Sequence, residues 1–580
     1  MVNIKINGKE VQVAEGLSVL EACKGIGIKI PSLCYHPDVN AWASCGICVV
    51  KMENNGKMIR ACSTKVYEGL SIITHDPQIN RARRTVLELI LSNHPQDCLQ
   101  CVRNGNCELQ DLAAEFGLRE NRFEHFLKNQ PVDDSNGSIV FDRDKCINCG
   151  RCVQVCQEVQ NVWAIDFQGR GGKTIIGPAA GMLLNDSPCI RCGQCAAHCP
   201  TGAIHEFSNF APLWEKIYDP DVVTAVQIAP SVRVALGEEF GMEPGELSTG
   251  KIYAALRRIG FDYIFDSNFS ADLTIMEEGT EFIGRLTKGQ GKIPLFTSCC
   301  PAWVDYAEKN YPDMLDNVST AKSPQQMMGS VIKTYWAQKM GINPEKVYSV
   351  SIMPCTAKKY EVHRDSNMSA SGYQDVDISF TTRELAKLIK QAGIDFTALE
   401  DEKADSPLGE YTGAGTIFGA TGGVMEAAVR TAYKVITGSE MADLNLTPVR
   451  GLDGVKSAKL DIAGTEVRVA VVHQLGNVAK VMDAVREAAA RGEEPPYHFI
   501  EVMACRGGCV GGGGQPYGTT DEVRTKRAKG LYKDDEASVK RCSHDNEEVA
   551  AVYKEFFGEP NSEKAHHLLH THYQERAMYK

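Results

Sequence analysis

Five cysteines fall in three short, widely separated segments, each beside proline or glycine. They are Thr297-Ser-Cys299-Cys300-Pro301, Met353-Pro354-Cys355-Thr-Ala-Lys358-Lys359, and Glu501-Val-Met-Ala-Cys505-Arg506-Gly-Gly-Cys509 with the glycine run to Gln515-Pro516. Thiolates gathered from remote segments hold a soft metal centre inside a large fold. Buried cysteines also pack as small apolar residues, but the punctuated setting of all five argues against that. Neighbouring side chains point in different directions, so Cys299 and Cys300 are not expected to ligate one cubane together. Cys300, Cys355, Cys505 and Cys509 make four thiolates, enough for one 4Fe–4S cluster. Cys299 is then a free thiol beside the metal, where it can move protons.

Sixteen further candidate ligands precede residue 210. Residues 1–78 hold Cys34-x10-Cys45-x2-Cys48 with Cys62 downstream. The first gap is longer than in the plant-type ferredoxin pattern, but the x2 pair and distant fourth cysteine agree with it, so a 2Fe–2S cluster is expected rather than structural zinc. Alternation over Val2–Ile6 and Val11–Val13 predicts a small β-rich fold around it, with Cys23 a buried apolar residue. Residues 79–125 read as helical from the stripe Val86, Leu87, Leu89, Ile90 and Leu91, and carry His94, Cys98, Cys101 and Cys107. One histidine and three cysteines suit zinc or a 4Fe–4S cluster, and the position between two other cluster candidates favours the cluster. An imidazole in place of a thiolate removes negative charge and shifts the potential.

Residues 126–209 contain one motif twice, Cys146-x2-Cys149-x2-Cys152-x3-Cys156 and Cys189-x2-Cys192-x2-Cys195-x3-Cys199-Pro200. This is the bacterial two-cluster ferredoxin pattern, in which the fourth cysteine crosses to the other cluster. Cys146, Cys149, Cys152 and Cys199 then hold one 4Fe–4S cluster, and Cys189, Cys192, Cys195 and Cys156 the other. A serial wire of this kind implies a redox reaction at one end and a partner at the other.

These ligands need a large and varied scaffold. The 580 residues predict several domains, and 43% hydrophobic content is ordinary for a folded chain. Residues 210–580 read as α/β: Val222–Ile228, Val347–Ile352 and Val467–Val472 look like buried strands, alternating with helical stretches such as Thr382–Ala392 and Val481–Arg491. The glycine-rich turns from Gly413 to Gly423 and after Cys509 lack the lysine of a phosphate loop and the acidic partner of a dinucleotide fingerprint. The fold class expected is therefore multidomain, α+β and α/β. A net charge of -12 argues against general nucleic-acid binding. No apolar run approaches membrane length, and the N-terminus reads as a strand rather than a signal peptide, so the expected location is the cytoplasm. The 22 cysteines suit metal clusters, not a disulfide framework.

The strings TSCCPAW, MPCTAKK and EVMACRGGCVGGGGQP resemble the three signature segments of the iron-only (FeFe) hydrogenases. The order of the N-terminal cluster motifs is similar to that of the large clostridial-type members, so the resemblance covers nearly the whole chain. It implies a β-grasp 2Fe–2S ferredoxin-like domain, a His/Cys3 4Fe–4S segment, a two-4Fe–4S ferredoxin domain and a large H-cluster domain. The H-cluster joins a 4Fe–4S cubane to a diiron unit with carbonyl, cyanide and azadithiolate ligands. Cys300, Cys355 and Cys505 match its cubane ligands, Cys509 the bridging thiolate and Cys299 the proton-donating thiol.

The resemblance further implies a proton route from Cys299 through Glu278, Ser319 and Glu281 to the surface near Arg285. Glu278 and Glu281 are three apart and share a helix face, which by itself would read as a solvated acidic face. Pro230, Ser231, Gln325, Met353, Lys358, Phe418 and Met503 match residues around the diiron unit, with Lys358 and Ser231 donating to its cyanides. Arg506 departs from the family, where proline or histidine is familiar, and its charge would raise the cubane potential. Cys542 fits no cluster and reads as structural. His566, His567, His570 and His572 read as a solvated or packed helix end.

The activity implied is reversible reduction of protons to dihydrogen. The partners implied are ferredoxin, or the flavin- and NAD(P)-binding subunits of an electron-bifurcating complex, together with H-cluster maturation proteins. The tail and cluster layout favour the complex over a stand-alone ferredoxin-dependent enzyme. A non-catalytic iron–sulfur assembly relative would lack the N-terminal wire, and a hydrogen sensor would alter the thiol at Cys299.

Overall fold

The computed structural model describes residues 1–462 and 464–579. At the N-terminus Val2, Ile4 and Ile6 point inward and Asn3 outward. Asn7 and Gly8 both take positive φ (50° and 81°), the turn geometry that joins a tight antiparallel hairpin to Lys9–Val13. The sheet order is Lys9–Val13, Val2–Ile6, Ser71–Ile73, Val49–Met52 and Met58–Arg60, with the second and third strands parallel. Helix Val19–Gly25, started by a Ser18–Glu21 capping box, contributes buried Val19, Leu20, Ala22 and Cys23 to the same core.

The helical reading of residues 79–125 needs correction. The helix Pro77–Ser92 stops before His94-Pro95, because a proline disfavours helical backbone in the residue before it. Beyond it lie a single turn Cys98–Gln100, a second helix Glu108–Glu115, and irregular chain to residue 125. In the ferredoxin-like part, Ile139–Phe141 pairs antiparallel with Ile204–Glu206. Each repeated cysteine motif runs into a short helix, Arg151–Gln154 or Gln194–His198, entered through a left-handed glycine.

The C-terminal part contains two four-stranded sheets. The first is all parallel, in the order Tyr263–Asp266, Val223–Ile228, Val347–Met353, Ile378–Thr381. The second runs Leu295–Phe296, Phe499–Met503, Thr465–His473, Val455–Ile462, with the last strand antiparallel. Phe499–Met503 is buried throughout, whereas Val455–Ile462 at the edge mixes buried and exposed positions. The expected strands match these to within two residues at each end, and the expected helix Val481–Arg491 overlaps the latter part of Leu475–Ala490, with Arg491 its C-cap. The long helix Ser267–Lys288 packs against Pro324–Val331 and Gly423–Thr437.

Buried ion pairs join the N-terminal half to this region. Arg383 pairs with Glu206 at 2.8 Å and Arg191 with Asp305 at 2.9 Å. Arg524 Nη1 reaches Asp38 Oδ1 at 2.9 Å. No described helix is long and apolar enough to cross a membrane.

Candidate metal centre

The segments singled out by their cysteines all follow strand ends. Met353 closes a strand of the first sheet and leads to Cys355, while Phe296 and Met503 close strands of the second and lead to Cys299-Cys300 and Cys505. Crevices beyond the carboxyl ends of parallel strands are where open α/β sheets bind ligands. Cys300 is the N-cap of helix Pro301–Asn310, and the backbone N–H groups of Ala302, Trp303 and Ala504 face its sulfur. Those of Ala357 and Lys358, opening helix Ala357–Glu361, face Cys355. These N–H groups favour the thiolate at both sulfurs, but burial outweighs them and raises both thiols.

The five sulfurs converge on one cavity. Pro230, Ser231, Gln325, Met353, Lys358, Phe418 and Met503 also line it. No disulfide joins any of the described cysteines. Burial, with the neighbouring sulfurs, pushes Cys355 and Cys509 up to about 12. Thiols that resist ionisation in an apolar hole become ligands when a bound cation displaces their protons. The donor set and the space around it therefore fit a soft iron–sulfur centre.

Lys358 is fixed by two acceptors, Glu361 Oε2 at 2.8 Å and the Cys299 carbonyl at 3.1 Å. Burial works against its ammonium, but the Glu361 carboxylate more than offsets this and raises its pKa. Ser231 Oγ accepts from Gln515 Nε2 at 3.2 Å, which leaves its own hydrogen free to donate. Gln325 is committed within the protein, donating to Glu361 at 2.9 Å and accepting from Ser351 at 2.8 Å. Glu501, which opens the last motif, accepts from the N–H groups of Gly422 at 2.7 Å and Met425 at 2.8 Å and so fixes the turn behind Phe418.

Glu278 lies on helix Ser267–Lys288 and is 2% exposed, so it belongs to no solvated face. Burial and the Glu281 charge push its pKa up to about 8, and its Oε1 has no hydrogen-bond partner among the described residues. Burial and the Glu278 charge drive the Cys299 thiol well above its ordinary range. Ser319 Oγ donates to Glu281 Oε2 at 2.8 Å. Arg285 holds Glu281 through Nη2 at 2.5 Å but is only 6% exposed, with Lys292, Asp316 and Val318 carbonyls around its guanidinium. Acceptors thus occupy the guanidinium on every side.

Toward the N-terminal half, Gln194 Nε2 donates to Cys505 Sγ at 3.2 Å and to the Gly511 carbonyl at 3.0 Å. A Cβ on Gly513 would fall 2.3 Å from the Cys192 carbonyl oxygen, so only glycine lets these two segments meet. Cys156, Cys189 and Cys195 lie near one another, with Cys192 beside Cys195. Cys146, Cys149, Cys152 and Cys199 line a separate small cavity. His94 is buried with Nδ1 unpartnered among the described residues, and burial lowers its pKa to about 4. A neutral imidazole with an unpartnered nitrogen is chemically able to ligate a metal. It lies four residues before Cys98, which opens a turn that Cys101 closes, and Cys107 is the N-cap of helix Glu108–Glu115. At the far end Cys48 and Cys62 sulfurs are 3.3 Å apart, and Cys34 contacts both Cys45 and Cys62.

Cys23 and Cys542 are buried, and Cys23 packs in the apolar core of the N-terminal sheet. Arg506 is bound to Asp521 at 2.6 and 2.7 Å, so its charge beside Cys505 is paired. His566 and His567 are exposed at a helix end, whereas His570 is buried. Gln194, Glu361, Glu501 and His570 were not singled out for these roles by the sequence reading. Only Gln194 had a local signal, its place inside a cysteine motif.

The family model for the iron only hydrogenase large subunit, C-terminal domain, matches residues 222–513, and that for the iron hydrogenase small subunit matches 521–576. Upstream, a 2Fe–2S iron–sulfur cluster binding domain matches 1–77, an NADH-ubiquinone oxidoreductase-G iron–sulfur binding region 83–122, and a 4Fe–4S dicluster domain 145–203. The chain is 48% identical to the NADP-reducing hydrogenase subunit HndD of Solidesulfovibrio fructosivorans, over 99% of each chain. It is 42% identical to iron hydrogenase 1 of Clostridium pasteurianum, over 99% of this chain and 100% of that one. The structure of FeFe-hydrogenase HydA1 from Chlamydomonas reinhardtii aligns with a TM-score of 0.56 at 40% identity, over 63% of this chain and 98% of that one. Similarity of this extent makes the chain a member of the iron-only hydrogenase large-subunit family, an iron–sulfur oxidoreductase whose N-terminal domains relay electrons to an H-cluster domain.

Proposed function

We propose that this chain is the cytoplasmic catalytic subunit of an NAD(P)-linked hydrogenase complex, possessing one 2Fe–2S cluster, three 4Fe–4S clusters and an azadithiolate-bridged H-cluster. The convergence of Cys299, Cys300, Cys355, Cys505 and Cys509 on one cavity carries the reading. When bound, the H-cluster supplies the iron site at which protons and electrons combine to dihydrogen. Cys300, Cys355 and Cys505 would hold its cubane and Cys509 would join the cubane to the diiron unit. Lys358 and Ser231 would supply hydrogen-bond donors to its anionic ligands, while Pro230, Gln325, Met353, Phe418 and Met503 form the surrounding wall and exclude water. Cys299 holds the proton nearest the reaction at Sγ. Glu278, neutral up to about pH 8, resupplies it and is itself recharged from Glu281 through Ser319.

His94, Cys98, Cys101 and Cys107 hold the His-ligated cluster, and the other N-terminal cysteines hold the sets named above. The NADP link rests on full-length similarity to a subunit named as NADP-reducing, and on the absence of a nucleotide fingerprint in this chain. Partner subunits then provide the flavin and nicotinamide sites. Full-length similarity to iron hydrogenase 1 favours a second reading, a stand-alone enzyme fed by ferredoxin.

Protein made with the maturation proteins should show infrared bands of iron-bound carbonyl and cyanide. Without them it should contain cubanes and be inactive; bands or activity in that sample would contradict the assignment. Purification from the native host should bring down flavin- and nicotinamide-binding subunits. An isolated chain that reduces NAD(P)+ with dihydrogen unaided would overturn the complex.

A further inference from the structure

Glu281 meets more than Ser319 and Arg285. The Thr320 N–H donates to its Oε2 at 3.1 Å, and Thr320 Oγ1 lies 3.4 Å from the same oxygen. That hydroxyl is also 2.8 Å from His570 Nδ1, and His570 Nε2 is 3.0 Å from Glu277 Oε2. Glu277 accepts in addition from the Tyr553 hydroxyl and from the Asn561 N–H. The His570 ring lies against that of exposed His566, tilted by 32° with centroids 4.1 Å apart. A buried histidine with both nitrogens occupied usually only ties segments together. This one joins two carboxylates of a single helix, and one of them contacts Ser319.

We infer that His570 is a positioning residue of the proton relay, exchanging a proton with Glu281 through the Thr320 hydroxyl and so bringing the C-terminal tail into proton supply. The inference rests on the reading of Glu281 as a relay group. When His570 carries both ring protons, Nδ1–H donates to Thr320 Oγ1, whose own hydrogen turns to Glu281. A hop breaks N–H at Nδ1, forms and breaks O–H at Thr320, and forms O–H on the Glu281 carboxylate. Neutral imidazole remains, with its Nε2 proton toward Glu277. When neutral His570 instead accepts at Nδ1, the Thr320 hydrogen points away from Glu281. Arg285 cannot act in this way, because a guanidinium does not release its proton. An imidazole can, since it carries a proton on either ring nitrogen.

The test is the pH–rate profile of hydrogen evolution by the matured enzyme, with infrared difference spectra of the protonated carboxyls as a second readout. Thr320→Val keeps the side-chain size and removes the hydroxyl, whereas Thr320→Ser restores it. His570→Gln keeps polar contacts and removes the titration. Thr320→Val and His570→Gln should each slow evolution on the acid side by about tenfold, the effect of one hydrogen-bonded contact on a barrier. The double variant should be no slower than either, Thr320→Ser should behave as the parent, and the carboxyl band should shift in Thr320→Val only. Profiles and bands that superimpose on the parent, while Glu281→Gln is impaired, would overturn the inference alone. Full activity in Glu281→Gln would remove the relay reading beneath it.

Discussion

Gln194 Nε2 donates to Cys505 Sγ across 3.2 Å, linking a side chain inside one ferredoxin motif directly to the H-cluster cavity. A donor to a cluster sulfur stabilises the more negative reduced state, so it raises the potential. Gln194→Leu should therefore lower the cubane potential. A hydrogen bond worth about 1 kcal/mol corresponds to roughly 40 mV for one electron. Spectroelectrochemistry of the matured enzyme measures this, and an unmoved or raised potential would refute it.

Glu278 should be visible in both catalysis and stability. Glu278→Gln should slow hydrogen evolution on the order of 100-fold or more, as for loss of a general acid, with cluster reduction intact. The folded chain keeps the Glu278 proton up to about 8, against 4.5 for an ordinary glutamate. The stability from holding that proton is complete below about pH 4.5 and is lost as pH rises toward 8. Glu278→Gln cannot titrate, so its denaturation midpoint should gain on the parent between those limits. A constant difference would contradict the buried, protonated acid.

Lys358 and Glu361 form a buried pair in which Glu361 also receives Ser323 and Gln325, each at 2.9 Å. Removing one member leaves a charge stranded. Glu361→Leu should cost about 3–5 kcal/mol, read from chemical denaturation. Adding Lys358→Met should recover most of that stability without recovering activity. Recovery of both would mean that Lys358 serves only to neutralise Glu361.

Arg506 is half-buried and paired, and exposed ion pairs contribute about 0.2–1 kcal/mol. Arg506→Ala should move the cubane potential by less than Gln194→Leu does, because Asp521 already offsets the charge. Its main effect should be a small loss of stability where helix Asp521–Ala537 begins. A potential shift larger than that of Gln194→Leu would restore the simpler expectation of an unpaired cation beside the cubane.

The metal-binding character of the chain was legible because thiolate clusters need several soft ligands at fixed local spacings, as in Cys146-x2-Cys149-x2-Cys152. Three strands of the C-terminal sheets were legible as apolar, β-branched runs, Val347–Ile352 among them, whereas short strands such as Tyr263–Asp266 and Leu295–Phe296 were not. The supporting polar groups were not. Glu361 reaches Gln325 across 36 positions, Gln194 reaches Cys505 across 311, and His570 reaches Glu277 across 293. Single polar residues brought together over such separations leave no periodic or local trace. The over-long helix after residue 92 has a different cause: an apolar stripe marks a helix, but its end was set by Pro95.

The seam between Cys192 and Gly513 has a practical consequence. No side chain fits there, and Arg383 clamps Glu206 beside it, so the last link of the wire cannot be exchanged without unseating the reaction chamber. Anyone grafting this enzyme onto an electrode or a light-driven donor should make the attachment upstream of that seam, within the first 125 residues.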